Sequence, residues 1–279
     1  MVNASPDTPP RRRLRPTRRG RLALLIGAVL VLVVAAAVLV PLLTREPAAE
    51  RTRSLVIPEG WRASQVYKAV DKVLGEPAGT TEKAVATADL PLPAAAKGNP
   101  EGYLFPATYP VTSRATPESL LRYMVDTAVE RFGADHITAG AQRNGVTVYE
   151  TVTIASVVQA EADTASDMGK VARVVHNRLA HDMPLQMDST LNYAMNRSTL
   201  DTTTGDTKID SPYNSYERKG LPPTPIGNPG EQAMTAAINP TTGSWLYFVT
   251  VAPGDTRFTS DYAEQKRNVA EFNRNRSDG

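Results

Sequence analysis

The spacing of apolar residues along the chain changes period several times, and each change marks an expected element. An uncharged run from Leu22 to Leu43 comes first. At about 1.5 Å per residue it spans roughly 33 Å, enough for a hydrocarbon core of about 30 Å. A polar linker over 44–54 follows, reaching at most about 40 Å. Residues 54–57 then read as a strand and 58–60 as a turn. Ala63 to Leu74 reads as an amphipathic helix with Val66, Val70 and Val73 inward and Gly75 as its stop. A shorter helix is expected near 81–88, ahead of the Pro-rich stretch at 90–100. Thr116 with Pro117 opens a further helix whose stripe is Leu120, Leu121, Met124, Val125, Ala128 and Phe132, closed by Gly133.

The strongest helical pattern runs over 147–179. Thr147 and Glu150 form a capping box, which makes Glu150 structural. Counted at 100° per residue from Ile154, the positions Val157, Val158, Ala165, Met168, Ala172, Val175 and Leu179 share one stripe, with Gln159, Asp163, Asp167, Lys170, Arg173 and Asn177 opposite. Glu161 falls within the apolar stripe, although the polar face had room for it. A carboxyl group there loses hydration, which raises its pKa and keeps it protonated near neutrality, as a general acid requires. The residue pattern leaves a second reading open, a buried carboxylate paired with an arginine.

Toward the C-terminus, Asn228 and Pro229 are expected to cap a short helix ending at Ile238. Residues 244–252 read as a strand with Trp245, Tyr247, Val249 and Val251 on one face. A turn at Gly254 and Asp255 brings 257–259 back against it, and Asp261 with Glu264 caps a last helix carrying Val269 and Phe272 inward. Helices and short antiparallel strands in this order give an α+β class.

Composition narrows the chemistry. The 279 residues contain no cysteine, which removes disulfides, thiolate nucleophiles and cysteine zinc sites. His136, His176 and His181 are scattered without metal-ligand spacing, which argues against a histidine zinc site and leaves open only a carboxylate metal site that no pattern supports. Neither S-x-x-K nor G-x-S-x-G occurs, which argues against a serine nucleophile of those types, and no metal and no cofactor is expected. Residues 1–21 hold seven arginines, Arg11, Arg12, Arg13, Arg15, Arg18, Arg19 and Arg21, directly before the apolar run. This reads as a basic cytoplasmic tail ahead of a single membrane-spanning helix over 22–43, with everything beyond it extracytoplasmic. A cleaved signal peptide is the competing reading, but its apolar region is usually shorter. The net charge is +2; without those arginines and Asp7, 24 basic residues face 28 acidic ones, which offers nucleic acid no footprint.

Three irregular stretches concentrate polar and aromatic side chains. Residues 101–111 are dense in aromatics and turn formers and fit no single regular element. Residues 185–194 supply Gln186, Asp188, Thr190, Asn192 and Tyr193, suited to a sugar or peptide groove or, alternatively, to a helix cap at Asp188. Residues 210–230 carry Tyr213, Asn214 and Tyr216, which either meet a saccharide or pin the loop. Trp61 reads as an apolar staple more readily than as a ligand contact.

Together the segments EGYLFPATY (101–109), IASVVQAEA (154–162), LQMDST (185–190), SPYNSY (211–216), GLPPTPIGNPG (220–230) and AINP (237–240) resemble the YceG-like, MltG-type endolytic murein transglycosylases over about residues 55–275, with an actinobacterial-like Arg- and Ala-rich flavour. The resemblance implies a small LysM-like α/β module over 55–98 and a mixed helix and sheet catalytic domain over 99–275 that cleaves the glycan strands of peptidoglycan between N-acetylmuramic acid and N-acetylglucosamine. It matches Glu161 to the family's catalytic glutamate, places Gln186, Asp188, Thr190, Tyr213, Asn214 and Tyr216 along the substrate groove, and puts Glu101 in or near it. Two departures stand out: a further LysM-like unit common in the family is missing ahead of the 54–57 strand, and Gln265 stands where many relatives have histidine.

The implied mechanism has Glu161 protonate the glycosidic oxygen and then act as base while the muramyl C6 hydroxyl closes an anhydro ring. A hydrolase would instead need a second carboxyl, for which Asp188 or Glu101 is the candidate. A non-catalytic wall-binding scaffold is the contrary reading. The 44–54 tether implies work close to the cell membrane on nascent strands, in association with penicillin-binding synthases.

Overall fold

The structure is a computed structural model that describes residues 18, 27, 29–31, 33–37, 53–198 and 202–277. Two compact units divide it, Met1–Arg51 and Thr52–Gly279. In the first, the described residues are helical. Most of the membrane segment expected over 22–43 lies outside the described residues, and among those described no helix is long and apolar enough to cross a membrane.

In the second unit, β1 (Arg53–Val56) pairs antiparallel with β2 (Thr108–Val111), in a register that sets Leu55 against Tyr109. Part of the irregular 101–111 stretch is thus a strand. Helix α1 (Ala63–Leu74) ends at Gly75, whose φ of 77° is the left-handed geometry that a glycine adopts without a Cβ penalty. Helix α2 (Thr80–Ala84) is shorter than the apolar spacing suggested, and α3 (Pro117–Phe132) opens with the Thr116–Ser119 capping box. Leu55, Ile57, Val66, Val70, Leu104, Tyr109, Leu120 and Leu121 form one core here. The far end of α3, Ala128 and Phe132, enters a second core. Residues 104–125 therefore complete this first core, and α3 runs from it into the second.

The second core is built from α4 (Asp135–Arg143), α5 (Val148–Glu161), α6 (Ala165–Ala180) and α8 (Glu231–Ile238), with α7 (Asp188–Ala194) between α6 and α8 in the chain. The helical pattern over 147–179 is interrupted rather than continuous. Ala162 is extended (φ −144°, ψ 137°), and the Thr164 hydroxyl restarts the helix by accepting from the Asp167 N–H. Residues 151–158 of α5 are buried without exception, the pattern of a helix surrounded by protein on all faces. Beyond Glu161 the 100° count from Ile154 still holds for Met168, Ala172, Val175 and Leu179, which pack in the core, but Ala165, assigned to the stripe, is exposed, and Arg178, on no expected apolar face, is buried.

β3 (Tyr247–Ala252) and β4 (Asp255–Thr259) form a hairpin with a bulge between Thr250 and Ala252. The strand is shorter than 244–252, and Phe248, from the alternate parity, packs on the helical core with Trp245 and Phe258. On α9 (Tyr262–Ser277), Val269 is exposed rather than inward. Polar side chains hold that helix to the hairpin instead: Gln265 donates to the Phe248 carbonyl at 3.1 Å and Asn275 to the Val251 carbonyl at 2.9 Å.

Asn228 does not cap α8, whose N-cap is Gly230. It is fully buried, accepts the Leu104 N–H on Oδ1 at 2.8 Å and donates through Nδ2 to the Trp61 carbonyl at 2.7 Å, so three distant segments meet on one amide. Beside it, Gly102 has a φ of 86°, and a Cβ there would lie 2.5 Å from Pro225. The 101–105 and 224–228 segments can approach this closely only over a glycine.

Candidate active site

Glu161 is the last residue of α5, where the helix ends against the first turn of α7. Its Oε1 accepts the Ser189 backbone N–H at 3.1 Å. The residue as a whole is half-buried, while its carboxyl is densely surrounded by protein. Burial pushes its pKa up, the Ser189 backbone and hydroxyl oppose this, and the neighbouring Asp188 adds to the rise. No arginine or lysine pairs with it among the described residues, so of the two readings of Glu161 the ion-paired one does not describe this site.

The remaining expected residues divide by environment. Asp188 opens α7 and accepts the Tyr216 hydroxyl at 2.5 Å. Gln186 is exposed, with a positive φ of 51°, and its Oε1 takes a hydrogen bond from Arg178 at 2.9 Å. Tyr213 is half-buried; its hydroxyl meets the Thr224 hydroxyl at 2.9 Å and its ring lies 4.9 Å from that of Tyr193. Thr190 and Asn214 are buried. The Thr190 hydroxyl donates to the Met187 carbonyl at 2.7 Å, and Asn214 donates to the Thr207 and Ile209 carbonyls at 3.0 and 2.9 Å. These two hold the walls of the site together and present no free polar atom to a groove. For Asn214, the loop-pinning reading describes the geometry.

Glu101 is buried at the other end of α7. Its Oε1 accepts the Ala63 N–H at 2.9 Å, at the first turn of α1, and its Oε2 accepts the Tyr193 hydroxyl at 3.1 Å. Burial raises its pKa to about 7, against those hydrogen bonds and the nearby Arg62. The Arg62 guanidinium lies 5.2 Å from the centre of the Tyr193 ring and donates to the Arg197 carbonyl at 2.7 Å.

Arg178 was not singled out by the sequence pattern, because an arginine late in a helix usually points to water. Here it is 5% exposed and donates to the carbonyls of Leu246 (2.6 Å), Pro184 (3.0 Å) and Leu185 (2.9 Å) as well as to Gln186. Its fork fixes the backbone that leads into α7. Ser215 does the same from the opposite loop: its carbonyl accepts the Gln186 N–H at 2.9 Å and its hydroxyl the Met187 N–H at 3.0 Å. Ser156 on α5 accepts the Ile226 N–H at 3.0 Å and anchors the 220–230 segment. Such roles leave only a polar residue in an apolar stretch as a sequence signal, and Ser156 carried it.

A desolvated single carboxyl on a half-buried residue, fixed by a backbone N–H, can donate a proton to a substrate atom and take one back. Both other buried or half-buried carboxyls nearby are engaged by protein donors.

Comparison with known proteins follows the same lines. The model of the YceG-like family matches residues 34–271. An endolytic murein transglycosylase of Bacillus subtilis is 37% identical over 171 residues, covering 60% of this chain and 46% of its own length. One from Streptococcus pneumoniae is 34% identical over 255 residues, covering 82% of this chain and 46% of its own. The chain thus spans about half the length of the curated relatives it matches. The crystal structure of a YceG-like protein from Listeria monocytogenes superposes with a TM-score of 0.65 at 29% identity, over 77% of this chain and 75% of that one.

Proposed function

The chain belongs to the YceG-like family, and from that membership we propose that it is a peptidoglycan lytic transglycosylase with Glu161 as its acid and base. The observation that carries the reading is the Glu161 carboxyl, desolvated, free of any cationic partner among the described residues and held on Oε1 by the Ser189 N–H. Protonated Glu161 donates to the oxygen between N-acetylmuramic acid and N-acetylglucosamine as an oxocarbenium-like state develops. The resulting carboxylate then takes the proton of the muramyl C6 hydroxyl, which closes a 1,6-anhydro ring. Cleavage is endolytic, as the names of the relatives state for those proteins.

A muramidase would need a second carboxyl with freedom to act on water. The engagement of Asp188 by Tyr216 and of Glu101 by Ala63 and Tyr193 favours the single-carboxyl route. Incubating the full-length protein in detergent with uncrosslinked glycan strands and weighing the fragments tests this directly. Anhydro ends, lighter by one water, support the reading; reducing ends alone would turn it into a hydrolase, and intact strands would favour a scaffold.

The same reading places residues 22–43 as a single-pass anchor in the cell membrane, with the arginine tail cytoplasmic and the catalytic part outside. The small module around β1, α1 and α2 is LysM-like in this scheme. A linker of at most about 40 Å keeps the site near newly made strands. It fits a role in ending strand elongation beside penicillin-binding synthases.

A further inference from the structure

Hydroxyl groups in the first turn of a helix usually bond to nearby backbone, and buried ones are seldom left without a partner. The first turn of α7 keeps this rule at every polar side chain but one. Asp188 is met by Tyr216, and Thr190 is bonded to the Met187 carbonyl and to the Ser215 hydroxyl, 2.8 Å away. The Ser189 Oγ is buried, bonds to no group of its own helix or of the facing loop, and interacts with the Glu161 carboxyl closely enough to oppose the rise in its pKa. It belongs to the residue whose backbone N–H holds Glu161 Oε1 at 3.1 Å, so the acid meets both the N–H and the hydroxyl of one serine.

We propose that the Ser189 hydroxyl is a catalytic group that bridges the C6 hydroxyl of the reacting muramyl unit to Glu161 during ring closure. This rests on the transglycosylase reading above. Once Glu161 has protonated the leaving oxygen and the C1–O4 bond has broken, the C6 oxygen bonds to C1. The C6 proton passes to Ser189 Oγ as the Ser189 proton passes to the Glu161 carboxylate. Serine ends unchanged, the acid is regenerated, and no water enters or leaves. Because a hydroxyl can accept and donate at once, it suits this bridge, whereas the amide N–H that occupies Oε1 can only donate. Holding the C6 hydroxyl in place also denies that position to a competing water.

The test is product partition in ¹⁸O-labelled water, with the full-length protein in detergent acting on uncrosslinked glycan strands. Ser189→Ala keeps the backbone N–H on Glu161 and removes only the hydroxyl. The expected result is a turnover lower by about 10²-fold, together with a several-fold larger share of ¹⁸O-labelled reducing ends. Ser189→Thr restores a hydroxyl and should recover most of the anhydro share; it also serves as the readout if the alanine variant melts early. Unchanged turnover and product mix in Ser189→Ala, or slower turnover with an unaltered mix that Ser189→Thr does not rescue, overturns the inference alone. Reducing ends alone from the wild type would overturn the transglycosylase reading and this inference with it.

Discussion

The Tyr193 hydroxyl donates to Glu101 Oε2 at 3.1 Å while, one helical turn earlier, the Ser189 N–H donates to Glu161 Oε1 at the same distance. The seven-residue helix α7 therefore rests on a buried carboxyl at each end. One of these, Glu101, also receives the first turn of α1 through the Ala63 N–H. The first turn of α1 and the candidate acid are joined through Glu101 and this helix.

Replacing Glu161 with glutamine preserves the acceptor for Ser189 but removes the transferable proton. Turnover is expected to fall by about 10²- to 10⁴-fold. The fold should be at least as stable near neutral pH, since a buried group whose ionisation is disfavoured has been neutralised. Strand-cleavage kinetics beside a thermal melt check both. The pH profile of the wild type should place the titration of Glu161 above the ordinary 4.5, because burial raises it.

Glu101 predicts a pH-dependent stability. Its folded pKa is raised to about 7 from 4.5, so the folded state binds the proton that the unfolded chain releases. The contribution is fully present below the unfolded value of about 4.5 and is lost as pH rises through about 7. The span is of order 3 kcal/mol, at about 1.4 kcal/mol per pKa unit. Denaturant titrations at several pH values should show this slope in the wild type and its flattening in Glu101→Gln.

Asn228→Ala should destabilise the protein by about 2 to 4 kcal/mol, because it leaves the buried Leu104 N–H without an acceptor and takes a donor from the Trp61 carbonyl. Chemical denaturation measures it. A change under about 0.5 kcal/mol would mean that the segments are held together by their apolar contacts alone.

Arg178→Lys tests the support behind the site. A lysine cannot reach the four acceptors that the guanidinium holds in the fixed geometry of its fork. Turnover is expected to fall about tenfold or more as the 184–190 backbone loosens, with KM for glycan strands rising because Gln186 loses its anchor. Equal kinetics in the lysine variant would remove Arg178 from the positioning of α7.

On the proposed topology a reporter fused after Gly279 should behave as extracytoplasmic, because seven arginines before an apolar run favour a cytoplasmic N-terminus. Cytoplasmic reporter activity would invert the topology, and a shortened soluble product would identify a cleaved leader.

The local elements were legible wherever they depend on neighbours in sequence. The Thr147–Glu150 capping box, the Thr116–Pro117 helix start, the stop at Gly75 and the Leu120 to Phe132 stripe of α3 all appear in the structure, because capping and amphipathic spacing act over three or four residues. Glu161 was legible as a carboxyl out of place, since its burial leaves a polar letter inside an apolar run. The break at 162–164 was not, because an extended residue and a new N-cap leave the apolar spacing nearly intact on both sides.

What only the tertiary structure decided is which polar atoms are free. Thr190, Asn214 and Ser189 look alike in sequence, yet the first two are bonded to carbonyls from their own loops and the hydroxyl of the third interacts with Glu161 alone. The same holds for the inner face of α9, where Gln265 and Asn275 meet strand carbonyls and Val269 is left in water. Hydrogen-bond saturation depends on groups far apart in the chain, such as Asn228 with Leu104 and Trp61, and those partners are specified by how the cores pack. The sequence by itself determined the family, the amphipathic helices and the unusual acid, but not α4 or α7, whose short spans carry too few periodic positions; the packing of α7 between two buried carboxyls determined which groups surround that acid.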